Sequence, residues 1–198
     1  MKILVAGATG KTGLRVVDEL KHKGHSPIAL VRESSDTSSL PADIELRKGD
    51  LTELQDGICS GCDAVVFAAG SGGDTSAEMT NKVDRDGAKK LIDLAARAGV
   101  SRFVMLSSVG ADDPDPDSEL GHYLTAKHEA DEHLMASGLS YAIVRPVSLT
   151  DEDGTRDMAF GDAVDVKGEA ARGDVAHVLA NAVDDPEWTG KALLMQSV

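Results

Sequence analysis

The chain has 198 residues, 41% of them hydrophobic, and its 34 acids outnumber its 20 bases to give a net charge of −14. That size and apolar content suit one globular domain with a sizeable core. The acid excess argues against nucleic acid as a partner, because phosphate backbones attract a basic surface.

No apolar run reaches the ~20 residues that span a bilayer, and the N-terminal apolar stretch is too short for a signal peptide. We therefore expect a cytoplasmic protein with no membrane partner. A halophilic source and an ordinary acidic enzyme account equally well for the charge, which in either case keeps the surface soluble.

In chain order, residues 3–6 form an apolar run that reads as a buried strand. It enters Gly7-Ala-Thr-Gly-Lys-Thr-Gly13 and then a helical pattern over 11–23, carried by Leu14, Val16, Val17 and Leu20 and stopped at Gly24. Strand, glycine turn and helix in that order suit a phosphate site. The helix N-terminus offers unpaired N–H groups and a partial positive charge, and glycines let a pyrophosphate come close to the backbone. The spacing is G-x-x-G-x-x-G, one residue longer in its first gap than the common fingerprint. Gly7, Thr9, Gly10, Lys11, Thr12 and Gly13 are the expected cofactor contacts; the alternative is a turn with a structural role only.

Strands are expected at 27–32, 44–48 and 64–69, followed by a helix over 81–98 ended by Gly99 and a strand at 102–106. A helix over 125–137 ends at Gly138, and a strand at 141–145 stops at Pro146. A helix over 174–183 and a strand at 192–196 complete the pattern. Apolar strands alternating with helices predict an α/β fold, a doubly wound parallel sheet of the Rossmann type. No composition shift marks a second domain. Residues 111–121, acidic and proline-rich, and 147–163 read as substrate-side loops.

Cys59-Ser-Gly-Cys62 follows a short helical segment and precedes a strand, which favours two small, partly buried side chains over a redox pair. No second ligand pair accompanies it, so no metal site is expected.

About twenty residues past the glycine turn such folds place the group that reads the cofactor's ribose. Here it is Arg32, whose guanidinium would pair with a 2′-phosphate, with Ser34 and Ser35 beside it. This favours NADP, with NAD possible; the alternative is a surface arginine at a strand end. In Gly49-Asp-Leu-Thr52, Asp50 and the Leu51 amide suit an adenine edge, while Asp50 or Thr52 equally suits a helix N-cap. The small residues Ala68, Ala69 and Gly70 would let a cofactor lie against the fourth strand.

Tyr123-Leu-Thr-Ala-Lys127 puts a phenol and an ammonium four residues apart, on one helix face. A free phenol titrates near 10. A neighbouring cation favours its ionised form, so such a tyrosine can exchange a proton near neutral pH. Ser107 and Ser108 end the fifth strand on the ligand side, where a hydroxyl could stabilise a developing alkoxide. The alternative is a tyrosine at a helix start with a solvated lysine. His122 could line the site, His128 and His133 are expected on a solvated face, and Trp188 is expected to pack the C-terminal region.

Taken in order, the glycine turn, Gly49-Asp-Leu-Thr52, Ser107-Ser108, Tyr123-x-x-x-Lys127 and Val144-Arg-Pro146 resemble the short-chain dehydrogenase/reductase superfamily. The nearest likeness is to its atypical, NmrA-like branch, which includes flavin and biliverdin-IXβ reductases. The resemblance implies that Tyr123 is the general acid/base, Lys127 its partner, and Ser108 the group that polarises a carbonyl. It places Ser107 near the nicotinamide and Arg145-Pro146 between nicotinamide and substrate loop. The expected function is an NADP-dependent oxidoreductase acting on a small carbonyl or a flavin- or quinone-like acceptor, as a monomer or homodimer. The alternatives are a non-enzymatic NADP-binding redox sensor and a small NAD-dependent epimerase or dehydratase.

Overall fold

The computed structural model describes residues 1–70 and 76–198. Strand β1 (Lys2–Ala6) leads into helix α1 (Lys11–His22), then β2 (Ser26–Val31), β3 (Glu45–Lys48) and β4 (Ala64–Phe67). A continuous helical rod follows: α2 (Ala77–Thr80), a π-helical stretch (Asn81–Gly87) and α3 (Ala88–Arg97). After β5 (Arg102–Leu106), α4 (Gly121–Ala136) and β6 (Tyr141–Pro146) come three short strands, β7 (Ser148–Thr150), β8 (Met158–Phe160) and β9 (Glu169–Ala171). Helix α5 (Arg172–Asn181) and strand β10 (Lys191–Ser197) end the chain.

Eight strands form one sheet in the order β3-β2-β1-β4-β5-β6-β10-β8, parallel except for β8, which runs against β10. β7 and β9 pair separately, in parallel. This is the expected Rossmann-type sheet. Its order reverses between β1 and β4, where the crevice beyond the strand ends takes ligands in such folds.

Side chains alternate across the sheet as the pleat requires. Ile3 and Val5 pack with Val16, Val17 and Leu20 of α1 and Leu179 of α5. Leu4 and Ala6 face the opposite way, with Leu91 and Ile92 of α3 and Leu134 of α4. Because both faces are covered, β1, β4 and β5 carry unbroken apolar runs, which is what made them readable as strands.

Several expected boundaries move. The strand expected over 64–69 stops at Phe67, and α4 starts four residues before the expected 125, so Tyr123 lies in its first turn. Residues 147–163 are not a plain loop: β7 and β8 lie within them. No helix precedes the cysteine pair; residues 51–61 run in turns. Cys59 and Cys62 are free and buried, more deeply than expected, and burial pushes the Cys59 thiol up to about 12, which suits packing rather than nucleophilic chemistry. Trp188 packs edge-on to Phe160, with ring centroids 5.6 Å apart, in the C-terminal region as expected.

Candidate functional site

The glycine turn is built by close backbone approach. Gly7 has φ +82, and a Cβ there would stand 2.6 Å from the Ala69 amide nitrogen; one on Gly13 would stand 2.0 Å from the Gly7 carbonyl oxygen. The turn is thus locked against the end of β4, where Ala68, Ala69 and Gly70 lie. The Gly10 amide donates to the Gly7 carbonyl at 2.9 Å and Gly10 becomes the N-cap of α1. A glycine cap has no side chain to satisfy the next amides, and α1 has no acid in its first turn. The N–H groups of Lys11, Thr12 and Gly13 therefore begin the helix uncapped, beside its positive dipole end. This cradle fits a pyrophosphate.

Lys11 is exposed and pairs with Asp151, which also receives Arg172 at 2.6 Å. Lys11 holds the Asp151 carboxyl below its usual range. Arg15 donates to the Asp151 carbonyl at 2.6 Å and reaches Asp153 at 3.3 Å. Residues 151–153 are in this way tied across the start of α1, beside the phosphate cradle.

Arg32, just past β2, is exposed; its amide donates to Ser35 Oγ at 3.0 Å. Among the described residues its guanidinium has no ion pair within bonding distance, though its charge helps lower the Asp50 carboxyl. The larger cause is the Thr52 amide, which donates to Asp50 Oδ1 at 2.9 Å while the Thr52 hydroxyl donates at 2.8 Å. Asp50 thus closes a turn and caps no helix, so of its two expected roles the helix cap is set aside. A cleft of about 470 Å³ opens beside Leu51, walled by Leu54, Met79 and Lys82.

Tyr123 and Lys127 do share one space, but it is an enclosed one. Tyr123 is half-buried, and Lys127 is 3% exposed, with Nζ 5.7 Å from the Tyr123 ring centroid and 5.9 Å from that of Phe67. Nζ lies 3.1 Å from Asp84 Oδ1 and donates to the Leu106 carbonyl at 3.3 Å. One turn further along α4, Asp131 is wholly buried. Its Oδ2 accepts from Ser107 Oγ at 2.8 Å and from Arg145 Nε at 3.1 Å. Burial raises the Asp131 carboxyl, and Arg145 and Ser107 offset this only in part.

The Ser107 hydroxyl is therefore turned inward, as is the Arg145 guanidinium, while half-buried Ser108 follows at the strand end. Pro146 closes β6, and its carbonyl accepts from the Val109 amide at 2.9 Å, joining the ends of β5 and β6.

His128 departs from its expected solvated place: it is half-buried, and Nδ1 donates to the Ala111 carbonyl at 2.8 Å, anchoring the loop before α4. His133 is also half-buried and pairs with the exposed Asp93, and exposed His122 reaches the Ala77 carbonyl at 2.9 Å. Asp84, Asp131 and Asp151 carry no signal of their own in the sequence and emerge only from the fold. Among the described residues no group of histidines, cysteines and acids is arranged to hold a metal, and no helix is long and apolar enough to cross a membrane.

The fold, with its glycine turn between β1 and α1, is that of a dinucleotide-binding α/β protein. A model of the NAD(P)H-binding family matches residues 7–186, and the chain belongs to that family. It is 38% identical to the Bacillus subtilis protein YhfK, named an uncharacterized sugar epimerase, over 97% of this chain and 92% of that one. A solved Bacillus halodurans structure, provisionally named an NAD-dependent epimerase/dehydratase, is 38% identical, with a TM-score of 0.92 covering 100% of this chain and 94% of its own. The oxidoreductase ylbE of Lactococcus lactis is 28% identical, with a TM-score of 0.86 and coverage of 100% and 91%. These likenesses bear out the resemblance to atypical short-chain dehydrogenase/reductases.

Proposed function

We propose that the chain is an NADP-dependent oxidoreductase for a small carbonyl or a flavin- or quinone-like acceptor, with Tyr123 as its proton donor. The observation that carries this reading is the buried Lys127 ammonium beneath the half-buried Tyr123 ring, in a fold that opens on a phosphate cradle. A bound nicotinamide would supply the hydride. The amides of Lys11, Thr12 and Gly13 hold the pyrophosphate, and Arg32, without an ion pair among the described residues, takes a 2′-phosphate. Asp50 and Leu51 border the adenine, and Ala68, Ala69 and Gly70 let the nucleotide lie against β4. Ser108 donates to the acceptor oxygen as its charge grows, and Tyr123 delivers a proton there, stabilised after transfer by Lys127. Ser107, Arg145 and Pro146 shape the floor beneath the reacting groups.

The test has two parts. Calorimetric titration should show NADPH binding more tightly than NADH; equal affinity, or tighter NADH, removes the NADP assignment. Tyr123→Phe should lower turnover in a panel of aldehydes, quinones and flavins by roughly 10²- to 10⁴-fold, the usual contribution of a positioned proton donor. Unchanged turnover removes the acid/base role. The names of the two relatives at 38% identity favour a second reading, an epimerase or dehydratase that keeps its NAD throughout the cycle. NAD retained through purification would support it over the first.

A further inference from the structure

The rod Ala77–Arg97 is interrupted by seven residues wound as a π-helix, Asn81–Gly87. Such i→i+5 stretches are rare, usually a single turn long, and concentrate at functional sites. Asp84 sits in the middle of this one, with a side chain that is wholly buried. Neighbouring backbone is packed tightly: a Cβ on Gly87 would stand 2.8 Å from the Leu51 carbonyl oxygen, and one on Gly70 would stand 3.3 Å from Asp84 Oδ1. The π-turn thus lies between the adenine side of the crevice and the end of β4, and its carboxylate meets Lys127 Nζ at 3.1 Å.

We propose that Asp84 is the positioning residue of this site, holding the Lys127 ammonium charged and fixed beneath the Tyr123 ring. The proposal rests on the reading of Tyr123 and Lys127 as the proton-exchanging pair. An ammonium as buried as this one is driven toward its neutral form. Burial is the largest influence on Lys127 and lowers its proton affinity, yet Tyr123, Asp84 and Asp131 together hold it above the ordinary lysine value.

Among the described residues those three are the titratable groups that act on it, Tyr123 and Asp131 from its own helix and Asp84 from the π-turn. Asp131 is taken up by Arg145 and Ser107, so among the described residues Asp84 is the carboxylate in direct contact with the ammonium. The Leu106 carbonyl takes one Nζ proton, and Asp84 lies against the ammonium as its ion-pair partner. Asp84 touches no reacting atom in this scheme. It acts through Lys127.

The test follows Lys127 directly, by ¹³Cε NMR of labelled lysines, with its resonance identified by loss in Lys127→Met. In the wild-type protein Lys127 should remain protonated past the ordinary lysine value near 10.4. In Asp84→Asn it should lose its proton below that value; an unmoved titration overturns the proposal. Turnover in Asp84→Asn should fall roughly tenfold or more, the scale of a disturbed acid/base pair, with NADPH affinity little changed. A loss confined to affinity speaks against it.

Should Asp84→Asn fold poorly, the double variant Asp84→Asn/Lys127→Met should recover stability, because removing both members of a buried ion pair leaves no unpaired charge. A double variant as unstable as the single one assigns Asp84 a purely structural role. If the wild-type protein turns over no acceptor, the oxidoreductase reading falls while the lysine titration still decides the part played by Asp84.

Discussion

At the scale of single residues, the pattern on α4 was visible in outline. Tyr123, Lys127 and Asp131 recur at four-residue spacing, and the first two carried the chemistry in the sequence. Asp131 did not, because an acid four places after a lysine ordinarily marks a solvated surface pair. Asp84 was less legible still: its partner lies on another element, and the π-turn that aims it leaves no mark in composition. What distinguishes Asp131 physically is burial, which raises its carboxyl despite Arg145 and Ser107. A carboxyl whose folded value lies above its unfolded one, about 3.9, adds stability that is fully present below that lower value. The contribution is lost as pH rises through the folded value. Asp131→Asn imitates the protonated acid at every pH. Wild type and Asp131→Asn should therefore be about equally stable near pH 4, and urea unfolding should show the wild type losing stability relative to the variant as the pH rises to 7. A wild type that instead gains on the variant as pH rises would mean that the ion pair with Arg145 outweighs burial.

At the scale of elements, the strands with both faces covered were the readable ones, since full burial writes an unbroken apolar run. The three-residue strands β7, β8 and β9 were not, because pairing partners far along the chain, rather than local propensity, make them strands. The glycine turn was legible as a motif, but its three glycines do different work. A methyl on Gly13 would collide with the Gly7 carbonyl at 2.0 Å, a contact of backbone with backbone that no side-chain motion relieves. A methyl on Gly10 would stand 3.3 Å from that same oxygen, at a backbone angle open to any residue. Gly13→Ala should thus lower the melting temperature sharply, with a cost of roughly 1–3 kcal/mol for an overpacked site. Gly10→Ala should keep the wild-type melting temperature within a few degrees and, if the turn holds the pyrophosphate as proposed, lose nucleotide affinity through the added bulk. Equal thermal losses in the two variants would show that Gly10, like Gly13, serves the fold alone.

At the scale of the whole molecule, the question is what a net charge of −14 does to a fold with so many ion pairs. The exposed pairs, such as Lys11–Asp151 with both side chains more than half exposed, are worth about 0–1 kcal/mol each and weaken with salt. The buried pairs, Lys127–Asp84 and Arg145–Asp131, lie where ions do not screen them well. Against both stands the mutual repulsion of the excess acids, which favours expansion of the chain and is long-ranged. Screening removes this repulsion first, since the Debye length is about 10 Å at 0.1 M salt and about 3 Å at 1 M. The melting temperature should therefore climb as sodium chloride is added from a few millimolar and level off within a few tenths molar, once repulsion between distant acids is gone. A fall would show that the surface pairs outweigh the repulsion. A rise that continues linearly into molar salt would assign the effect to strengthened apolar burial instead. Chloride, a weak salting-out ion, keeps that contribution small enough for a plateau to be seen.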